Sequence, residues 1–214
     1  MDLVTRLENV YTGVVHDVMR GMGLSDFTLP QDIRPLFPEK TLAGIVSTVT
    51  GKVDTSADAH TTLYEWTGLL SKAKPDTVMI CQPNDSVIAH MGELSSETLK
   101  LKGVRGYVVD GGCRDVNFII EQEFPVWYRY HTPRDVVGYW LPVSYEEPIV
   151  IGEVTIHAGD LVLGDRDGMV ILPKAQAEDI IAAAEQAIAT ENQVRTAILA
   201  GVDPQEAYLK FGKF

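Results

Sequence analysis

The chain has 214 residues, of which 45% are hydrophobic and 22% charged, and 18 basic against 30 acidic residues give a net charge of −12. That length holds about one to one and a half domains and buries a core without staples, and the apolar content excludes a disordered polyanion. The acidic balance, with no dense basic run, excludes nonspecific nucleic-acid binding, which needs clustered Lys and Arg. Cys81 and Cys113 make neither a disulfide framework nor a zinc spacing. The N-terminus carries Asp2 and Glu8 in place of an apolar signal core, and no run nears the roughly 18 apolar residues of a membrane span. A soluble, cytoplasmic protein is expected, with no membrane contact.

Leu3, Leu7, Val10, Val14 and Val18 recur every three or four residues, predicting one N-terminal helix that Gly21 and Gly23 stop. Pro30, Pro35 and Pro38 make 26–38 a loop. Residues 41–53 alternate and are rich in β-branched side chains, predicting a strand. Residues 56–74 read as a helix with Ser56 as its cap and Pro75 past its end. Short apolar strands at 77–81, 106–109 and 126–130 then alternate with helices at 94–102 and 116–122. That rhythm indicates parallel crossovers in an α/β layer. After His131 the pattern changes to short strands at 149–151, 154–156, 160–163 and 169–172, with turns at Gly152-Glu153 and Asp167-Gly168. These predict an antiparallel region. Residues 175–200 are alanine-rich and helical, with Gly201 as stop, and Asp203 caps a last short helix through Leu209. There is no repeat or linker, so one domain over 1–214 is expected.

The densest chemical cluster is Val108-Val109-Asp110-Gly111-Gly112-Cys113-Arg114-Asp115. A buried strand ends there, two glycines turn the chain and a helix begins. Ligands of open α/β sheets bind just past such strand ends, and a helix N-terminus favours an anion. Arg114 can fork a carboxylate and Asp115 can offer oxygen to a hard cation. The plainer alternative is that Asp115 caps the helix and Arg114 is a surface ion pair. A second cluster, Ala89 to Ser96, sits one crossover earlier. Amides of Gly92 to Ser95 could cradle an oxyanion and Glu93 could hold or move a proton; here too a plain helix start is the alternative. Cys113, beside Arg114 at a helix start, is a candidate stabilised thiolate. His60, His16-Asp17 and His131 are weaker candidates, and Gly164 to Gly168 reads as a β-turn rather than a calcium loop, lacking the later glutamate. No Walker loop or dinucleotide fingerprint is present.

Together the two clusters resemble the RraA-like family, which contains class II pyruvate aldolases acting on 4-hydroxy-4-methyl-2-oxoglutarate and 4-carboxy-4-hydroxy-2-oxoadipate, and the protein regulator of ribonuclease E activity. The strongest stretch is G-V-R-G-Y-V-V-D-G-G-C-R-D at 103–115, supported by Gly92-Glu93-Leu94, Thr132-Pro133-Arg134-Asp135 and 159–168. The resemblance implies an α/β/β sandwich of the swivelling phosphohistidine-domain type, with N-terminal helices and a C-terminal helical extension. It implies trimers or hexamers with active sites between subunits. By position, Arg114 would bind the oxo-acid end of the substrate, Asp115 would anchor Mg²⁺ or Mn²⁺, and the amides of Leu94 and Ser95 would hold the pyruvoyl carboxylate. Glu93 stands where the aldolases often have aspartate. An acid from a neighbouring subunit's C-terminal helix, here Glu191, would complete the site.

The activity expected on that basis is a metal-dependent lyase cleaving a C–C bond of a 2-oxo acid through a pyruvate enolate, with oxaloacetate decarboxylation as a side activity. The competing expectations are a non-catalytic regulator that binds an RNA-degrading enzyme, and another lyase or hydratase on the same scaffold.

Overall fold

The structure, a computed structural model, describes residues 2–212. Leu3–Glu8 forms α1, started by the Asp2 carboxylate, which accepts from the Thr5 amide at 3.0 Å. The single helix expected here is in fact two, because α2 covers Thr12–Gly21. One local and one long-range contact accompany the break. The Asn9 side chain donates to Thr5 O at 2.7 Å, competing with the helix backbone. Asp165 then restarts the helix from across the fold, accepting from Thr12 N at 2.8 Å and Thr12 Oγ1 at 2.7 Å.

The remaining elements in chain order are β1 (Arg34–Pro35), β2 (Leu42–Val53), α3 (Ala59–Lys72), β3 (Thr77–Gln82), α4 (Glu93–Leu101), β4 (Gly106–Val109), β5 (Gly112–Cys113), α5 (Val116–Gln122), β6 (Val126–Tyr128), β7 (Tyr130–His131), β8 (Trp140–Tyr145), β9 (Ile149–Ile151), β10 (Val154–Ile156), β11 (Leu161–Gly164), β12 (Met169–Leu172), α6 (Ala177–Leu199) and α7 (Pro204–Phe211). Asp58, not Ser56, caps α3, accepting from Thr61 N at 2.7 Å, while the Ser56 hydroxyl donates to Asp54.

The main sheet runs β1-β6-β4-β3-β2-β11-β12. Its centre, β2 to β3 to β4 to β6, is parallel and made by three helical crossovers, as the rhythm predicted. The antiparallel strands do not form a separate half. β11 pairs with the first part of β2 (Leu42–Ile45) and β8 with its last part (Val49–Val53), so one long strand serves two partners along one edge. A register shift between Thr50 and Gly51 makes the switch. A Cβ on Gly51 would lie 1.8 Å from the Trp140 ring, so only glycine lets buried Trp140 cross there. β8 carried no clear sequence signal because Pro142 interrupts it.

Alternate residues of the central strands serve opposite faces. Met79, Cys81, Tyr107 and Val109 pack towards a core shared with α3, α4 and α5. Val78, Ile80 and Val108 pack with Ile149, Ile151, Val154 and Ile156 of the β9–β10 hairpin. Both faces are therefore apolar, as in a buried parallel sheet. The result is helices, sheet and hairpin in three layers: the expected α/β/β sandwich. α1, α2 and α6 close the β11–β12 end around Leu7, Val14, Leu163 and Ile181.

Candidate active site

β3 and β4 are parallel neighbours, so the turns that follow them leave the sheet at one edge. They are stitched together there by backbone. Ala89 bridges Gly112, His90 N donates to Gly112 O at 2.9 Å, and Arg114 N donates to Met91 O at 2.9 Å. β5 pairs with β7, placing Cys113 beside His131, and Ala89 N donates to Arg134 O at 2.9 Å. Three segments far apart in sequence thus converge.

Asp115 sits at φ 56, ψ 34, the left-handed region, and does not cap its own helix. Aspartate is among the few side chains that tolerate this backbone. The consequence is directional: its carboxylate leaves α5 and reaches the start of α4, where Oδ2 accepts from Glu93 N at 3.2 Å. The same Oδ2 accepts from Arg114 Nε at 3.1 Å, and Arg114 Nη1 donates to Asp135 Oδ2 at 3.1 Å. Burial works against the charge on Arg114, but the bonds to Asp115 and Asp135 raise its pKa on balance. The side chains of Arg114 and Asp115 remain about one-third exposed, at 34% and 33%. Gly92 makes the approach possible. A Cβ there would stand 2.7 Å from Asp115 Oδ2 and 3.2 Å from Arg114 Cγ.

At the N-terminus of α4, the Glu93 amide is used by Asp115 and the Ser96 amide by Gly92 O. The amides of Leu94 and Ser95 have no acceptor among the described residues and lie at the positive end of the helix. The Ser95 hydroxyl accepts from Trp66 Nε1 at 2.9 Å, which anchors the first turn of α4 to α3. The Glu93 carboxylate forms no ion pair or hydrogen bond among the described residues. Asp115 Oδ1 is likewise without a hydrogen-bond partner there.

An open groove of ≈ 680 Å³ runs from Arg114 and Asp115 past Asn117 to His131, Thr132 and Pro133. Gly92 and the Glu93 amide meet Arg114 and Asp115 directly, Leu94 and Ser95 follow on the first turn of α4, and of these six Arg114 and Asp115 line the groove. Glu191 is placed elsewhere, on α6, where it accepts a hydrogen bond from the Tyr11 hydroxyl. Burial first, and then this bond, push the Tyr11 pKa up to about 12. The Cys113 expectation is corrected: its thiol is fully buried, and desolvation, with the Asp115 charge adding, raises its pKa to about 12. The loop 164–168 is the expected turn, with Asp165 N and Gly168 N each donating to the other's carbonyl. His60 is exposed on α3.

Asp135 was not singled out by its chemistry, although it closes the site around Arg114. The only sequence signal for it was the T-P-R-D segment. His90 was also missed. Its ring is fully buried against Trp140, with both nitrogens unpaired and Asp85 Oδ2 at 3.5 Å. Burial lowers its pKa to about 4, against the opposing pull of Asp85.

Known proteins resemble the chain in both sequence and structure. The family model described as RraA-like, Aldolase/RraA, matches residues 12–171. A protein of Halalkalibacterium halodurans named "Putative 4-hydroxy-4-methyl-2-oxoglutarate aldolase" is 27% identical over 98% of this chain and 95% of its own length. A crystal structure described as one of novel cellulases from gut-associated microbes matches with a TM-score of 0.83 at 32% identity, covering 89% of this chain and 86% of the other. RraAS2 of Streptomyces coelicolor, described as an unusual member of the RNase ES inhibitor RraA family, matches with a TM-score of 0.79 at 26% identity, covering 90% and 95%. No helix among the described residues is long and apolar enough to cross a membrane.

Proposed function

The chain belongs to the RraA-like family, and from that premise we propose that it is a divalent-metal-dependent lyase of 2-oxo acids. The reaction is the 4-hydroxy-4-methyl-2-oxoglutarate aldolase type, releasing pyruvate through its enolate, with oxaloacetate decarboxylation as a side activity. One observation carries this reading: Arg114 and Asp115 are held side by side against the open amides of α4 by Gly92.

The residues fit Mg²⁺ or Mn²⁺. Asp115 Oδ1 is a hard oxygen without a hydrogen-bond partner among the described residues, on a side chain one-third exposed. No group of three or more His, Cys, Asp or Glu that could hold a metal occurs among the described residues. One carboxylate, with substrate oxygens and water, suits Mg²⁺, which keeps several waters. The ion supplies Lewis-acid polarisation of the 2-oxo group.

The chain's own residues do the rest. The amides of Leu94 and Ser95 bind the substrate carboxylate at the helix terminus. Arg114 places a fixed positive charge where negative charge develops on the 2-oxo oxygen. A base takes the C4 hydroxyl proton as C3–C4 breaks, so that C4 becomes a carbonyl and the electron pair stays on the pyruvate half. Glu93, on the first turn of α4, holds the water that returns a proton to C3. An acid from the C-terminal helix of a second copy completes the site, with Glu191 as the candidate. The assembly is a trimer or hexamer with sites between copies.

The test is pyruvate release from 4-hydroxy-4-methyl-2-oxoglutarate and from oxaloacetate, before and after EDTA. Chelation should abolish release and Mg²⁺ or Mn²⁺ should restore it. Release indifferent to EDTA removes the metal role. No release at all from folded, metal-loaded protein, with tight binding to an RNA-degrading nuclease, replaces the lyase by the regulator reading.

A further inference from the structure

We propose that His131, assisted by Asn117, is the specificity-determining residue for the half of the substrate that leaves as the carbonyl product, and that it selects a fragment bearing a hydrogen-bond acceptor. The inference rests on the lyase reading and deepens it. The groove extends well beyond the oxo-acid end, from Arg114 and Asp115 to Asn117, His131 and Thr132. Arg114, Asp115 and the amides of α4 are committed to the oxo acid. Among the groove's remaining side chains, Val116 and Pro133 offer only carbon and Cys113 is fully buried, so polar contacts to the other half fall to Asn117, His131 and Thr132.

His131 is built for this position. It is the last residue of β7 and pairs in register with Cys113, the residue before Arg114. Thr132 N donates to Cys113 O at 3.2 Å, and Asp135 three residues later holds Arg114, so the segment cannot drift from the guanidinium. The imidazole lies 4.6 Å, centroid to centroid, from the Tyr128 ring, which limits its rotation. Yet its ring nitrogens bond no other described residue, and neither does the Asn117 amide. An imidazole always carries at least one N–H, and Asn117 adds two donors. The Thr132 hydroxyl accepts from Arg134 N at 3.4 Å and keeps its own O–H, so it is a third donor beside His131 and Asn117, whose polar side-chain atoms hold no other bond among the described residues. Arg114 is shared between Asp115 and Asp135, and Asp115 is the one acid among the groove's lining residues, so the far end of the groove at His131 and Asn117 presents donors and no carboxylate.

The experiment compares two ligands of different reach on Mg²⁺-loaded wild type, His131→Ala and His131→Gln. Oxalate spans only the oxo-acid end, while 2-oxoglutarate adds a distal carboxylate and cannot be cleaved. Calorimetry gives each affinity, and NMR in D₂O follows exchange of the pyruvate methyl protons, which needs only the oxo-acid end. In His131→Ala, oxalate affinity and pyruvate exchange should stay within about twofold, while 2-oxoglutarate should bind about tenfold more weakly or worse, the loss of one hydrogen bond to a charged group. His131→Gln, which keeps an N–H donor, should recover part of that loss. Equal binding of 2-oxoglutarate by wild type and His131→Ala overturns the assignment. So does parallel loss of both ligands, which would make His131 merely structural. If wild type exchanges no pyruvate proton and binds neither acid, the lyase reading itself has failed and takes this inference with it.

Discussion

Two clefts in this molecule are lined by similar residue types and differ in how those residues are satisfied. One is the groove at the carboxyl ends of β3 and β4. The other lies between α2 and the β9–β10 hairpin, as adjoining hollows of ≈ 500 and ≈ 310 Å³ lined in part by His16, Arg20, Asp26, Glu153, His157 and Asp160. In the second cleft most of the partners are close in sequence. Arg20 and His16 both meet Asp17, at 3.0 and 3.5 Å. Asp160 accepts from His157 N at 2.8 Å and Lys174 N at 3.0 Å, so its carboxylate staples backbone. At the first cleft, Asp115 and Arg114 are fixed by residues 22 and 21 positions away, Glu93 and Asp135, and atoms remain unspent beside them. Titratable groups around a hollow are therefore not enough. What distinguishes the first cleft is that three separate turns converge to hold its charged pair in place.

The sharpest way to break this contrast is Asp115→Asn. Asparagine keeps the left-handed backbone and an oxygen for Glu93 N, and removes only the charge. Turnover should fall by about 10³-fold or more, with divalent-ion binding weakened in a titration and the unfolding midpoint nearly unchanged. Turnover within tenfold of wild type would erase the distinction between the clefts. Next, Gly92→Ala inserts a methyl 2.7 Å from Asp115 Oδ2. It should leave the fold intact and cost about 10²-fold in kcat/KM through misplacement of Arg114 and Asp115.

A third prediction concerns pH and the buried ring behind the site. The folded pKa of His90 is lowered to about 4, from 6.5 for a free imidazole, chiefly by burial. The unfolded chain therefore binds the proton more readily. The stability contribution is constant above about pH 6.5, falls as pH drops, and levels off below about 4, a loss of about 3 kcal/mol. Urea unfolding of wild type and His90→Phe across that range should show the steeper decline in wild type; equal slopes would place the ring in contact with solvent. The smallest effect is expected at the second cleft. Asp160→Ala should lower stability by about 1–3 kcal/mol, by stranding two amides, while kcat/KM for pyruvate release stays within about twofold. A large loss of turnover there would show that the second cleft serves the reaction.

The strands and helices of the parallel half were legible because each announces itself locally. Thr77 to Cys81 and Gly106 to Val109 are unbroken apolar runs, and helices follow them at regular distance. The D-G-G-C-R-D turn was legible for the same reason, since a strand end, two glycines and a helix start are adjacent in the chain. Legibility failed where a residue's partner lies far off. Nothing near Asn9 reveals that Asp165 will capture Thr12 and split the first helix. Cys113 looked reactive beside Arg114, yet the pairing of β5 with β7 buries it.

By itself, the order of residues determined the periodicities, the crossover rhythm, the acidic surface and the chemical types available at two turns. Only the tertiary structure decided that β2 divides its edge between β11 and β8, that Asp115 turns its carboxylate away from its own helix to the preceding one, and that Gly92 leaves it room. The physical reason is range. Backbone preference and burial period act over a few residues and leave a local imprint. Register, close approach and shared hydrogen bonds arise only when distant segments meet, and no short stretch of sequence carries them.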